Sequence, residues 1–223
     1  MESTNANGWV DKLKTLYLEG RYDEAEQILL SKRGSYPPGV FYFNIGTLKV
    51  KKGEFGKARY GLEKALTEGY MAPQVFHNLK LVKEKIKVSD ISESGFWKDR
   101  AYDNLMKVSP DYYLGASFFL LILSIFLIRM GFVRSLKKII LVVLISLGPF
   151  LFNLTYLSKI KFGVALEKTN IYEGPAKIFS KILILEEGSK FVVGPKNGNW
   201  YLIISPSSMT GWVYKDKVGL LGS

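Results

Sequence analysis

Between Asp111 and Arg129 the chain runs through 17 uncharged residues, Tyr112 to Ile128, of which eleven are Leu, Ile or Phe. Another 20 uncharged residues lie between Lys138 and Lys159. Both lengths match helices that cross a bilayer. At about −0.3 to −0.6 kcal/mol per large apolar residue, the eleven favour insertion by about −3 to −7 kcal/mol, with no buried charge opposing them. Two helices apolar on every side and joined by a short basic segment would otherwise need a large protein to bury them. The sequence therefore predicts a membrane hairpin over 111–160, with spans at about 112–128 and 139–158. Arg129, Arg134, Lys137 and Lys138 crowd the joining segment, and short loops rich in Lys and Arg stay on the cytoplasmic side. Both flanking segments then face outward, which in a bacterium means the periplasmic side of the inner (cytoplasmic) membrane. Translocating the first 110 residues normally needs a signal peptide, yet Met1–Val10 is polar, without an apolar core or small-residue cleavage site. Either such a signal has been removed from this numbering or the topology differs.

Neither span contains an ionisable residue, which argues against a transporter or pump. Ser117, Ser124, Ser146 and Gly148 are small enough to let helices approach, and Pro149 is expected to bend the second span. The chain has no cysteine, one histidine and a net charge of +11. Thiol chemistry, disulfides and cysteine-ligated zinc are excluded. The charge suggests nucleic acid at first, but its densest excess borders the apolar runs, and Glu54, Glu63, Glu68 and Glu84 interrupt any cationic face in the first segment. No nucleic-acid partner is expected.

The first hundred residues repeat with a period of 33 to 34: Gly20-Arg21-Tyr22-Asp23-Glu24-Ala25 returns as Gly53-Glu54-Phe55-Gly56-Lys57-Ala58, and Phe41–Gly46 matches Val75–Lys80. Trp9, Leu13 and Leu16, then Tyr42, Ile45, Leu48 and Lys49, follow helical spacing, with turns at Gly20 and Gly53. Pro37-Pro38 and Pro73 punctuate the repeats, Ala25 and Ala58 permit close packing, and Gln74–Lys87 reads as a closing helix. This resembles the tetratricopeptide repeat (TPR), a helix-turn-helix unit stacked into an all-α solenoid, here over 1–87. The resemblance implies a concave surface for peptides or partner segments. Asn44 and Asn78 occupy matching positions there, and an amide that both donates and accepts can hold a peptide main chain; the other reading is that both satisfy neighbouring backbone groups. Lys14, Lys51 and Lys85 are expected on the same surface and would favour an acidic segment or a carboxylate, although Val10 stands where carboxylate-binding members of that family carry a cation. His77 has no partner for metal or acid–base work and reads as structural.

Residues 88–110 form a polar linker, Val88–Gly95, and then an amphipathic helix in which Phe96, Trp97, Ala101, Leu105 and Met106 share a face. A tryptophan this close to a span suits the membrane–water interface; a soluble helix packed on the repeats is the other reading.

From 163 to 223 short β-branched and aromatic runs alternate with turn residues: Val164–Leu166, Thr169–Tyr172, Ile182–Leu185, Phe191–Val193, Trp200–Ile204 and Gly211–Tyr214. Five or six such strands predict a small barrel. Asn170–Pro175, Leu185–Lys190, Trp200–Ile203 and Gly211-Trp212-Val213 resemble bacterial SH3 (Src-homology-3) domains. Trp212 and Val213 are expected inside the barrel, and Tyr172, Phe179, Trp200 and Tyr214 are the candidates for an aromatic groove holding protein or cell-wall peptides.

The order of these parts resembles the BatE family of bacterial aerotolerance (Bat) operons over nearly the whole chain. The fold class expected is thus a multidomain membrane protein: an all-α TPR solenoid, a transmembrane helical hairpin and an all-β SH3-like barrel. The resemblance implies a scaffold whose partners are BatA- and BatB-like von Willebrand factor A proteins and BatD, and indirectly a MoxR-type AAA+ ATPase, beside membrane lipid. A wall-binding receptor gripping peptidoglycan is the alternative. No cofactor and no catalysis are expected: with one histidine and no cysteine the usual triads and metal clusters cannot form, and the adjacent Glu186 and Glu187 read as a solvated turn.

Overall fold

The computed structural model describes residues 8–86, 91, 94–108, 110–132 and 134–221. Their contacts divide into two compact units, one formed by Met1–Asp90 with Lys161–Ser223, the other by Ile91–Ile160. Among the described residues there are eight α-helices, two of them apolar enough to cross a membrane, and a seven-stranded antiparallel sheet.

In the first unit five helices follow one another: α1 (Gly8–Leu18), α2 (Tyr22–Ser31), α3 (Pro38–Lys51), α4 (Phe55–Thr67) and α5 (Pro73–Ile86). α1, α3 and α4 stop in the same way. Gly20, Gly53 and Gly69 take φ of 76°, 74° and 81°, and the next residue's N–H reaches back to the carbonyls of Leu16, Lys49 and Ala65. Only glycine adopts this left-handed turn without strain, so the expected turns at Gly20 and Gly53 are present and Gly69 adds a third. α3 and α4 form the tightest pair because Gly46 and Gly61 face each other; a side chain on either would overlap the opposing helix. Leu16, Ala25, Leu29 and Leu48 fill the first helical core, and Ala58, Leu62, Ala65, Val75, Leu79 and Val82 the second.

The strands are β1 (Lys161–Ala165), β2 (Thr169–Tyr172), β3 (Lys181–Leu185), β4 (Lys190–Asn197), β5 (Trp200–Ser205), β6 (Gly211–Tyr214) and β7 (Val218–Leu221). They lie in the order β3-β2-β6-β5-β4-β1-β7, with β3 and β7 as open edges. The expected closed barrel of five or six strands is therefore corrected to an open sheet of seven. The added strand, β7, pairs Leu221 with Phe162 and Val218 with Ala165, occupying the edge of β1. Ala165, Ile171, Leu185, Phe191, Val193, Ile203, Val213 and Val218 form the core. Trp212 is not among them. Strand alternation puts it on the face opposite Val213, half-buried, which corrects its expected place in the interior.

The helices and the sheet share an interface. α4 lies on β1 and β7: the Tyr60 ring covers Gly219, Gly56 meets the carbonyls of Ala165 and Leu166, and Ile86 of α5 covers Gly188. Bare backbone on one side of each contact lets the elements close.

The second unit contains α6 (Trp97–Lys107), α7 (Pro110–Arg129) and α8 (Leu136–Thr155). The apolar segments Asp111–Arg129 and Leu136–Lys159 have mean hydropathies of 1.9 and 2.1 and leave most of their surface uncovered by protein. Serines join them: the Ser124 and Ser146 hydroxyls lie 2.6 Å apart, and the Phe150 N–H donates to Ser117 Oγ at 2.9 Å. That last bond employs a donor beside Pro149, around which α8 continues. Gly148 has no close neighbour, so the serines, and not this glycine, mark the contact. Of the expected linker, Val88–Asp90, Ser92 and Glu93 lie outside the described residues, as does Lys87.

Candidate functional site

Between α1, α2 and α3 lies a cavity of about 360 Å³. Val10, Leu13 and Tyr17 from α1, Leu29 from α2 and Leu48 from α3 supply apolar walls, and Tyr36 closes one side. Asn44 and Thr47, one helical turn apart on α3, and Lys14 on α1 supply polar groups. Pockets of this size take a small ligand or one or two side chains of a larger one.

Several residues expected on the repeat surface come together here. Lys14 and Asn44 line the cavity directly. Asn78, on α5, donates through Nδ2 to Thr47 Oγ1 at 3.2 Å and so fixes a lining hydroxyl. Lys51 places its Nζ 6.0 Å from the ring centroid of Tyr17, another lining residue. Lys85 is exposed on α5 and does not line the cavity. His77 is likewise exposed. Among the described residues no carboxylate lines the cavity, and the charged group there is Lys14. Burial pushes the Tyr36 phenol up from its ordinary value. Trp9 packs edge-on against Tyr36 with ring centroids 5.2 Å apart.

An ion cluster missed by the sequence pattern lies on the same helices. Lys49, expected on an amphipathic face, is buried with its Nζ 2.7 Å from Glu26 and 3.1 Å from Glu54. Lys52 reaches Asp23, Glu26 and Glu54 at 2.7, 2.8 and 3.0 Å, and Lys57 reaches Glu54 at 2.7 Å. Burial opposes ionisation of Glu54, but the Lys57, Lys52 and Lys49 ammonium groups outweigh it and bring its pKa down to about 2. The same balance lowers Glu26 beside Lys49 and Lys52. The cluster ties α2 to α3 and the start of α4.

On the sheet, three of four aromatic candidates stand in a row. Trp200 packs edge-on between Tyr172, at 5.2 Å, and Tyr214, at 5.4 Å. Cross-strand register explains this: Trp200 pairs with Tyr214 and Tyr172 with Trp212, so all four rings share the face away from the core. Phe179 is not in this row; it covers Gly174 in the turn before β3.

The helices and sheet are joined by a buried polar set. Arg59 donates to the Gly188 carbonyl at 2.8 Å and to Glu63 Oε1 at 3.2 Å, while Lys190 donates to Glu63 Oε2 at 2.7 Å. Burial works against the Glu63 carboxylate, but Lys190 and Arg59 hold its pKa below the ordinary value. Gly56 N–H adds a bond to Glu187 Oε2 at 3.3 Å, so Glu187 is not merely part of a solvated turn.

Among the described residues no three His, Cys, Asp or Glu side chains gather as a metal site. The arrangement can grip an apolar side chain, offer a hydrogen bond from Asn44 and attract an anionic group to Lys14. Comparison of the chain with protein-family models, with curated proteins and with solved structures gave no match, so its function is argued from these residues.

Proposed function

We propose that the protein is a membrane-anchored adaptor, in the manner of the BatE family, that holds partner proteins beside the membrane through TPR-like helices and an SH3-like sheet. The observation that carries this reading is the cavity lined by Lys14, Asn44 and Thr47 within a unit whose helices and sheet are locked together by Arg59, Glu63 and Lys190. A compact unit with an apolar, lysine-rimmed cavity suits recognition of an acidic peptide segment, and two apolar helices between its halves suit attachment to the bilayer. Because the two halves pack together and two spans separate them in the chain, both halves lie on one side of the membrane. The basic segment at the hairpin tip favours the periplasmic side of the inner membrane.

The partners proposed are BatA- and BatB-like von Willebrand factor A proteins and BatD, with a MoxR-type AAA+ ATPase acting through them in envelope stress or aerotolerance. Copurification in mild detergent tests this. Recovery with a von Willebrand factor A partner, weakened by Lys14→Glu, is the expected result; recovery of the protein alone sinks the proposal. A second reading, a receptor for peptidoglycan or its peptides, draws on the Tyr172, Trp200 and Tyr214 row. Pull-down of the whole protein with purified wall material separates the two.

A further inference from the structure

α6 is fastened to the end of the hairpin where α7 begins and α8 finishes. The Tyr102 hydroxyl lies 3.0 Å from that of Tyr156, just beyond α8, and the Tyr113 hydroxyl donates to the Leu105 carbonyl at 3.1 Å. These contacts use one side of α6. The start of the helix presents a different surface: Trp97 is 70% exposed, Phe96 is 59% exposed, and Lys98 and Arg100 are exposed beside them. Lys98 Nζ lies 6.0 Å from the centroid of the Trp97 ring. The acid within this run, Asp99, is turned inward at 3% exposure, where the Ser94 hydroxyl donates to its carboxylate at 2.5 Å. Among the described side chains of residues 96–100 the outward surface is therefore aromatic and cationic, with the Asp99 charge withdrawn.

A soluble surface gains nothing from two exposed rings at this position. The bilayer interface does: an indole settles at headgroup depth, and each Lys or Arg close to an anionic leaflet contributes about 1 kcal/mol. Resting on the two-span reading, we propose that the Phe96, Trp97, Lys98 and Arg100 surface binds the anionic phospholipid headgroups of the leaflet opposite the Arg129–Lys138 segment. α6 then lies along that leaflet as a lateral brace, tied to the hairpin by its tyrosines. Charge complementarity and direct continuity with the membrane-crossing helices identify the lipid as occupant.

The test uses the full chain reconstituted in vesicles of phosphatidylcholine with or without phosphatidylglycerol, with bromine carried on the acyl chains near the headgroup. Resistance to carbonate extraction first establishes integration; its failure would refute the two-span reading itself. With integrated protein, brominated lipid is expected to quench tryptophan emission, and Trp97→Phe, a change at a solvent-facing position, to lose most of that quenching. Lys98→Ala with Arg100→Ala is expected to reduce the preference for the anionic lipid by about fivefold per charge removed. Equal quenching of wild type and Trp97→Phe in integrated protein overturns the proposal, and so does quenching indifferent to phosphatidylglycerol. Either result would leave this surface to a protein partner.

Discussion

Lys190 Nζ donates to Glu63 Oε2 at 2.7 Å, joining residues 127 positions apart and bridging the helical repeats to the sheet. Arg59 shares the same carboxylate, so its charge is compensated from both sides of the interface. The pair stays ionised within a buried setting, where loss of one member leaves the other uncompensated.

Glu63→Gln or Lys190→Ala is accordingly expected to destabilise the first unit by about 3 kcal/mol. Chemical denaturation of the full chain in detergent checks this. The double variant should be less destabilised than the two single losses added together, and simple additivity would contradict the coupling.

The Glu54 cluster gives a pH dependence of defined sign. Its folded pKa of about 2 lies below the ordinary value of 4.5, so its contribution is present above 4.5 and fades as pH falls towards 2. Glu26 adds in the same direction. Glu54→Gln should flatten the acid limb of the stability profile, measured by thermal unfolding between those pH values, and leave the neutral region dependent on pH as before.

At the cavity, Lys14→Glu reverses the charge of an exposed rim residue and is expected to weaken capture of an acidic segment by about tenfold with little change in stability. Asn44→Ala should weaken capture less, by about one hydrogen bond's worth, roughly fivefold. Titration with fluorescent peptides from the copurifying partner reads both. Stronger binding by Lys14→Glu would reverse the assigned ligand charge.

Within the hairpin, Ser146→Val removes a hydroxyl that lies 2.6 Å from Ser124 Oγ and adds bulk at a buried contact. Helix association should weaken by about 1 kcal/mol, detectable as a shift in unfolding in mixed micelles. Gly148→Ala, in open space, should do nothing comparable.

The absence of native cysteine permits topology mapping by single substitutions. Thr67→Cys and Asn197→Cys, both at exposed positions, are expected to react with an impermeant thiol reagent in intact cells, while Ser135→Cys stays protected. Ser189, attractive from sequence alone, is a poor probe because it is buried. Labelling of Ser135→Cys with the other two protected would invert the proposed orientation.

The sequence revealed whatever depends on local rules. The glycines at positions 20 and 53 marked helix ends because a left-handed residue is needed there, and β2 and β6 fall at their expected limits because apolar alternation and flanking turns bound them. β7 escaped notice because four residues, Val218–Leu221, become a strand only through pairing with β1. Lys14 and Asn44 were expected on one surface and both line the cavity, but the Lys49 cluster was hidden behind its own periodicity. The joining of repeats to sheet is a contact between distant segments, and its one local trace is Gly56. There the second repeat has glycine where the first has Asp23, and its missing side chain admits the backbone of Ala165 and Leu166.

That interface also orders events during synthesis. Arg59 and Glu63 leave the ribosome more than a hundred residues before Gly188 and Lys190, and the whole apolar hairpin is made in the interval. The first helices must therefore wait, with a charged and glycine-flattened face uncovered, until both apolar segments and the first strands of the sheet have been made. Burial of the Arg59 and Glu63 face thus reports that the chain has been made through Lys190, and a ribosome stalled within the apolar segments leaves that face open.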